Sequence, residues 1–85
     1  MSVIMVCVGG PPGAPLGAYL LSYDPEAFRG RGWSDWTRDL TKARQWPDHA
    51  EALAYWRQVS KVRPTRADGR PNRPLTAFTV TVEPL

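Results

Sequence analysis

A single cysteine and a single histidine among 85 residues remove several chemistries from this chain at once. Cys7 has no second thiol to pair with, so no internal disulfide can staple the fold and no oxidising compartment is required. Cys7 and His49 cannot supply the thiolates and imidazoles of a structural zinc, and neither a C-x-x-C nor an H-x-x-x-H pair occurs. Lysine is missing before Lys42, which denies the breaker cluster Gly9–Pro15 the Gly-Lys-Ser/Thr end of a phosphate-binding loop. The carboxylates Asp24, Glu26, Asp35, Asp39, Asp48 and Glu51 are scattered, with no D-x-D cluster for metal or paired acid–base work. Cys7 lies in an apolar run, where burial makes a thiol inert. His49 falls in the first turn of a predicted helix, where ordinary helix-surface occupancy is the expectation. No catalytic residue, metal site or cofactor is expected. Long hydrophobic runs are lacking too. Val3–Val8 is far shorter than the roughly 20 residues of a membrane span and has no basic segment before it, so cytoplasmic placement without a membrane partner is expected.

What is present suits one small domain over 1–85. The apolar fraction is 42%, and four tryptophans supply bulky core material. Val3–Val8 is apolar on both faces, as a covered strand would be; with the linker to Pro15 it forms an extension, 1–15. Gly17–Tyr23 reads as a strand ended by Asp24-Pro25. Glu26–Gly32 reads as a flexible turn, Trp33–Thr37 as a short strand, Asp39–Ala43 as one helical turn, and Arg44–Trp46 as an extended piece. A helix is predicted over about 48–60, from Pro47 or Asp48 to Val59 or Ser60. Asp48 caps it, Glu51 completes a capping-box-like pair, and Leu53, Trp56 and Val59 form its stripe beside Ala52. Leu75–Glu83 alternates as a strand, with Phe78, Val80 and Val82 on one face. The predicted fold class is α+β: a small, mostly antiparallel sheet of three to five strands packed by one helix.

Charge concentrates in one segment. The proline-spaced connector 60–74 holds Lys61, Arg63, Arg66, Arg70 and Arg73, five of the eleven basic residues, against the single acid Asp68. Its local balance is +4, while the remainder of the chain balances at −1. Arginines spaced by prolines form a ready surface for phosphates or carboxylates, and Asp68-Gly69 marks a tight turn within it. A second basic run, Phe28-Arg29-Gly30-Arg31-Gly32-Trp33, adds aromatics at both ends. Trp33 and Trp36 are three apart, so in one strand they point to opposite faces and one of them is at risk of exposure. The expected partner-binding set is Arg29, Arg31, Trp33, Arg63, Arg66, Arg70 and Arg73.

The pattern Trp36-Thr37, Lys42-Ala43, Trp46, Glu51-Ala52, Trp56-Arg57 and Asp68–Val80, preceded by Tyr19–Pro25, resembles small uncharacterised proteins encoded by bacteriophages and prophages. The likeness covers about Tyr19 to Glu83, and its most specific piece is Asp68–Val80. The resemblance implies a setting, not a mechanism: small phage proteins without catalytic residues often act stoichiometrically on a host protein or ribonucleoprotein complex, as anti-CRISPR-type inhibitors do. The resulting expectation is a non-enzymatic interaction protein of anti-defence type. The alternative is a nucleic-acid-binding accessory protein that uses the basic connector.

Overall fold

The computed structural model describes residues 2–85 and shows a four-stranded antiparallel sheet in the order β3-β2-β1-β4, with one helix of two turns packed on it. The strands are β1 (Val3–Gly9), β2 (Tyr19–Asp24), β3 (Trp33–Thr37) and β4 (Thr79–Pro84). The α+β class read from the sequence is therefore the observed one. β1 is a central strand between β2 and β4, and side chains on both of its faces are buried, Ile4 on one and Met5 and Cys7 on the other. It pairs with β4 from Val3↔Pro84 to Gly9↔Thr79, with a bulge between Cys7 and Gly9.

Between β1 and β2 the sheet is split. The two strands meet at Val6↔Tyr19 and then part. The gap is filled by Arg44–Trp46, whose Arg44 amide donates to the Leu20 carbonyl at 2.9 Å while Val3 and Trp46 exchange two backbone bonds of 2.9 and 3.0 Å. Pro47 biases Trp46 toward extended geometry, and the insertion carries the Trp46 ring into the core. That core comprises Met5, Leu20, Trp46, Ala52 and Leu75, with Tyr55, Trp56, Phe78, Val80 and Val82 packed around it.

The helix begins where its cap predicts. Asp48 accepts the Glu51 amide at 2.8 Å, and the helix runs His49–Trp56. It stops short of Val59 and Ser60 because Ser60 is claimed by tertiary partners: its amide donates to Asn72 and its hydroxyl to Glu26. The inward stripe is consequently Ala52, Tyr55 and Trp56, while Leu53 and Val59 are only half-buried and lie outside the cluster. Trp56 is itself half-buried, with its indole donating to the Phe78 carbonyl at 3.1 Å.

The predicted strand over Leu75–Glu83 also starts later. Pro74–Ala77 forms a 3-10 turn that drops Leu75 to zero exposure, its amide donating to the Tyr23 hydroxyl at 3.1 Å. Burial pushes the Tyr23 phenol up to about 12. Beyond the turn the strand alternates as read, with Val80 and Val82 half-buried and Thr79, Thr81 and Glu83 exposed. Leu40–Lys42 is a 3-10 turn capped by Asp39. No described helix is long and apolar enough to cross a membrane.

Candidate functional site

The connector is exposed in its side chains and fixed in its backbone. Every residue from Lys61 to Pro71 is exposed, yet Ser60, at its root, is fully buried. The Glu26 carboxylate sits in a nest of connector donors: the Ser60 hydroxyl at 2.5 Å, the Lys61 amide at 2.8 and 2.9 Å, and the Val62 amide at 3.2 Å. The Ser60 hydroxyl in turn accepts the Arg63 amide at 3.2 Å. The Ser60 hydrogen bond foremost, and then the Lys61 amide, hold the Glu26 carboxyl below the usual carboxylate range.

From Pro64 the connector becomes a small hairpin. Thr65 bridges Pro71, the Arg66 amide donates to Arg70 at 2.8 Å, and the Gly69 amide donates to Arg66 at 2.9 Å. Gly69 takes φ +84°, the left-handed position that closes a three-residue hairpin loop, and Asp68 accepts the Arg70 amide at 3.0 Å. Asn72 ties this hairpin to the β2–β3 connection, its side-chain amide donating to the Gly30 carbonyl at 2.7 Å and to the Arg63 carbonyl at 2.8 Å.

The β2–β3 connection is equally constrained. Phe28 (φ 52°) and Arg29 (φ 59°) both adopt left-handed backbone, although neither is glycine. Such conformations cost about 1–2 kcal/mol per residue and persist only where the surroundings over-determine them. Here the Gly32 amide closes the turn onto Ala27 at 2.9 Å, and Asn72 clamps Gly30. Gly30 is buried against the connector, and a Cβ there would stand 2.5 Å from the Arg63 Cβ and 3.0 Å from the Ser60 hydroxyl. A Cβ on Gly32 would collide with Pro74. These two glycines let the two basic segments touch.

Their contact gathers four of the expected arginines. Arg31, Arg63 and Arg66, with Asp68 and Asn72, line an open hollow of about 370 Å³, and Phe28, Arg29, Arg31 and Arg63 line an adjoining one of about 440 Å³. Arg31 and Arg63 belong to both walls. Arg70 and Arg73 line neither hollow, although both are exposed. Phe28, outside the expected set, is 66% exposed and Trp33 is 56% exposed. Their rings meet edge to face with centroids 5.8 Å apart, and the Trp33 indole is oriented by a 3.0 Å bond to Asp35. Trp36 points the other way, half-buried against Phe78.

The arginines are not spent on holding the loop down. Among the described residues the one ion pair is Arg66–Asp68, at 4.0 Å and exposed on both sides. Asp24 accepts the Glu26 amide, Asp35 accepts Ser22 and Trp33, and Asp39 accepts Thr41. The Thr41 hydroxyl, with the Thr41 amide, lowers the Asp39 carboxyl. Glu26, Gly30, Gly32 and Asn72 organise the site and are not in the expected set. The G-x-G of Gly30-Arg31-Gly32 is their one sequence signal, because close approach of two backbones calls for glycine.

Cys7 is buried in β1, and His49 is exposed at the start of the helix. Among the described residues no group of three or more His, Cys, Asp or Glu side chains stands together. Comparison with known protein families, with curated proteins and with solved structures finds no match to this chain.

Proposed function

We propose that this protein is a non-catalytic interaction module that docks its arginine and aromatic face onto an anionic surface of a partner. In the phage or prophage setting that its resemblance implies, it acts as an anti-defence inhibitor, covering a working surface of a host protein or ribonucleoprotein complex in the host cytoplasm. The observation that carries this reading is the convergence of Arg29, Arg31, Arg63 and Arg66 from two distant segments, with no ion pair among the described residues apart from that of Arg66. Arginine forks match carboxylate and phosphate geometry in two bonds at once. A backbone already fixed by Glu26 and Asn72 lowers the ordering cost of binding. Size is no obstacle: a standard interface takes about 800 Å² per partner, roughly a seventh of the 5459 Å² surface.

The test compares two sets of substitutions in a phage-restriction assay and in co-purification with the host's effector complexes. Arg31→Ser/Arg63→Ser/Arg66→Ser should keep the fold, since exposed charges add little stability, and should lose both inhibition and co-purification. Arg70→Ser/Arg73→Ser, outside the hollows, should retain most of both. An intact triple variant that still inhibits and co-purifies normally would sink the reading.

A further inference from the structure

We infer that the arginine and aromatic face takes single-stranded nucleic acid, with phosphates seated among Arg31, Arg63 and Arg66 and a base laid on the Phe28–Trp33 pair. This rests on the use of the face proposed above and names what the face engages.

The cationic surface is continuous, because Arg31 and Arg63 wall both hollows. Its one lining acid, Asp68, already faces Arg66 at 4.0 Å. A track of this kind attracts a phosphate backbone without regard to sequence. The ring pair supplies what a purely electrostatic surface lacks. Phe28 and Trp33 are more than half exposed, so folding gains little from either ring, and Phe28 is held outward by a left-handed backbone that itself costs free energy. Any base can stack on an exposed aromatic, and an adjacent guanidinium plane adds to that contact. A duplex would offer the phosphates but keep its bases stacked internally.

An acidic protein surface would satisfy the arginines; a single strand satisfies them and also offers the exposed rings a flat base face. A protein partner would also leave unused the exposed aliphatics that an interface core recruits. Val8, Leu16, Leu21, Leu40 and Leu85 line neither arginine hollow, and Val62 alone among the large exposed aliphatics stands in the connector, where the small Ala67 is also exposed.

The test is fluorescence anisotropy of the full chain with labelled oligothymidine of about ten nucleotides, within the usual site size of such surfaces, titrated over salt. Log affinity should fall with log salt at a slope of about −2 to −3 for three or four phosphates. Arg31→Ser or Arg63→Ser should each flatten that slope by about 0.7. Phe28→Ala/Trp33→Ala should lower affinity about tenfold or more at an unchanged slope. Oligothymidine should quench tryptophan emission, and Trp33→Phe should bind yet lose that quenching. All these positions are exposed, and circular dichroism checks the fold of each variant.

Binding to a glutamate-rich peptide but not to oligothymidine at low salt would overturn this inference and leave the proposed function standing. Binding to neither would overturn both. Equal affinity for a duplex, or no loss in the Phe28/Trp33 variant, would remove the stacked base and with it the single-strand assignment.

Discussion

Glu26 does for the connector what a bound anion does for an anion-binding loop: it gathers the Ser60 hydroxyl and the Lys61 and Val62 amides around one carboxylate and so fixes where Arg63 begins. A carboxyl that accepts these bonds is held below its ordinary value of 4.5, and the latch therefore depends on ionisation. The sign follows from linkage. A group whose folded value is depressed contributes stability above its unfolded value and loses it as pH falls through the folded one. Titrated downward from neutral pH, the Lys61 and Val62 amide proton resonances should shift together, with a midpoint below 4.5. Glu26→Gln should abolish that titration. Amides that titrate at or above the ordinary value, or that do not respond, would refute the latch. Nothing in the sequence marks Glu26 for this role, because its partners lie 34 to 36 residues away.

At the scale of elements, the site is a contact between two loops, and glycine decides whether the contact can close. Gly30→Ala asks a Cβ to occupy space held by Arg63 at φ +90°. The left-handed penalty of about 1–2 kcal/mol and an overpacking penalty of about 1–3 kcal/mol together give a loss of roughly 2–5 kcal/mol. Gly32→Ala, against Pro74 at φ +81°, should behave alike. Gly13 is the control: at φ +87° with nothing within 4 Å, it should lose only the backbone part, about 1–2 kcal/mol. Chemical denaturation of the three variants reads the difference, and equal losses at Gly13 and Gly30 would mean that the loops do not press together. Elements set by local chemistry were legible in the sequence. Asp48 and Glu51 placed the helix start, and Trp33–Thr37 was read with its observed bounds. Elements set by distant partners were not. The helix ends at Trp56 because Ser60 bonds elsewhere, and Leu75 leaves the strand pattern to bury itself under a 3-10 turn.

Across the whole molecule the four tryptophans divide between folding and the proposed binding, and they do so by where the split sheet puts them. The three-residue spacing foretold that Trp33 and Trp36 would face opposite ways. No local pattern foretold that Arg44–Trp46 would enter the sheet between β1 and β2, since that needs β1 to pair with a segment some forty residues on. Trp46 is 6% exposed and packs against Tyr55 with centroids 5.3 Å apart, while Arg44 lies over the Tyr55 ring at 4.6 Å. Among the described residues its indole N–H has no hydrogen-bond partner, so truncation removes packing and breaks no hydrogen bond seen there. Trp46→Ala should therefore fall in the lower part of the usual range, about 3 kcal/mol. That is a large share of the roughly 4–13 kcal/mol available to a domain of this length, and the thermal midpoint should drop by about 12–24 °C. Trp33→Ala, by contrast, removes an exposed ring and should leave stability within about 0.5 kcal/mol while weakening partner binding. Measured side by side, a variant that melts early and one that melts normally but binds poorly would separate the core from the face. A Trp33→Ala protein as unstable as Trp46→Ala would return Trp33 to the core and take the aromatic half of the binding face with it.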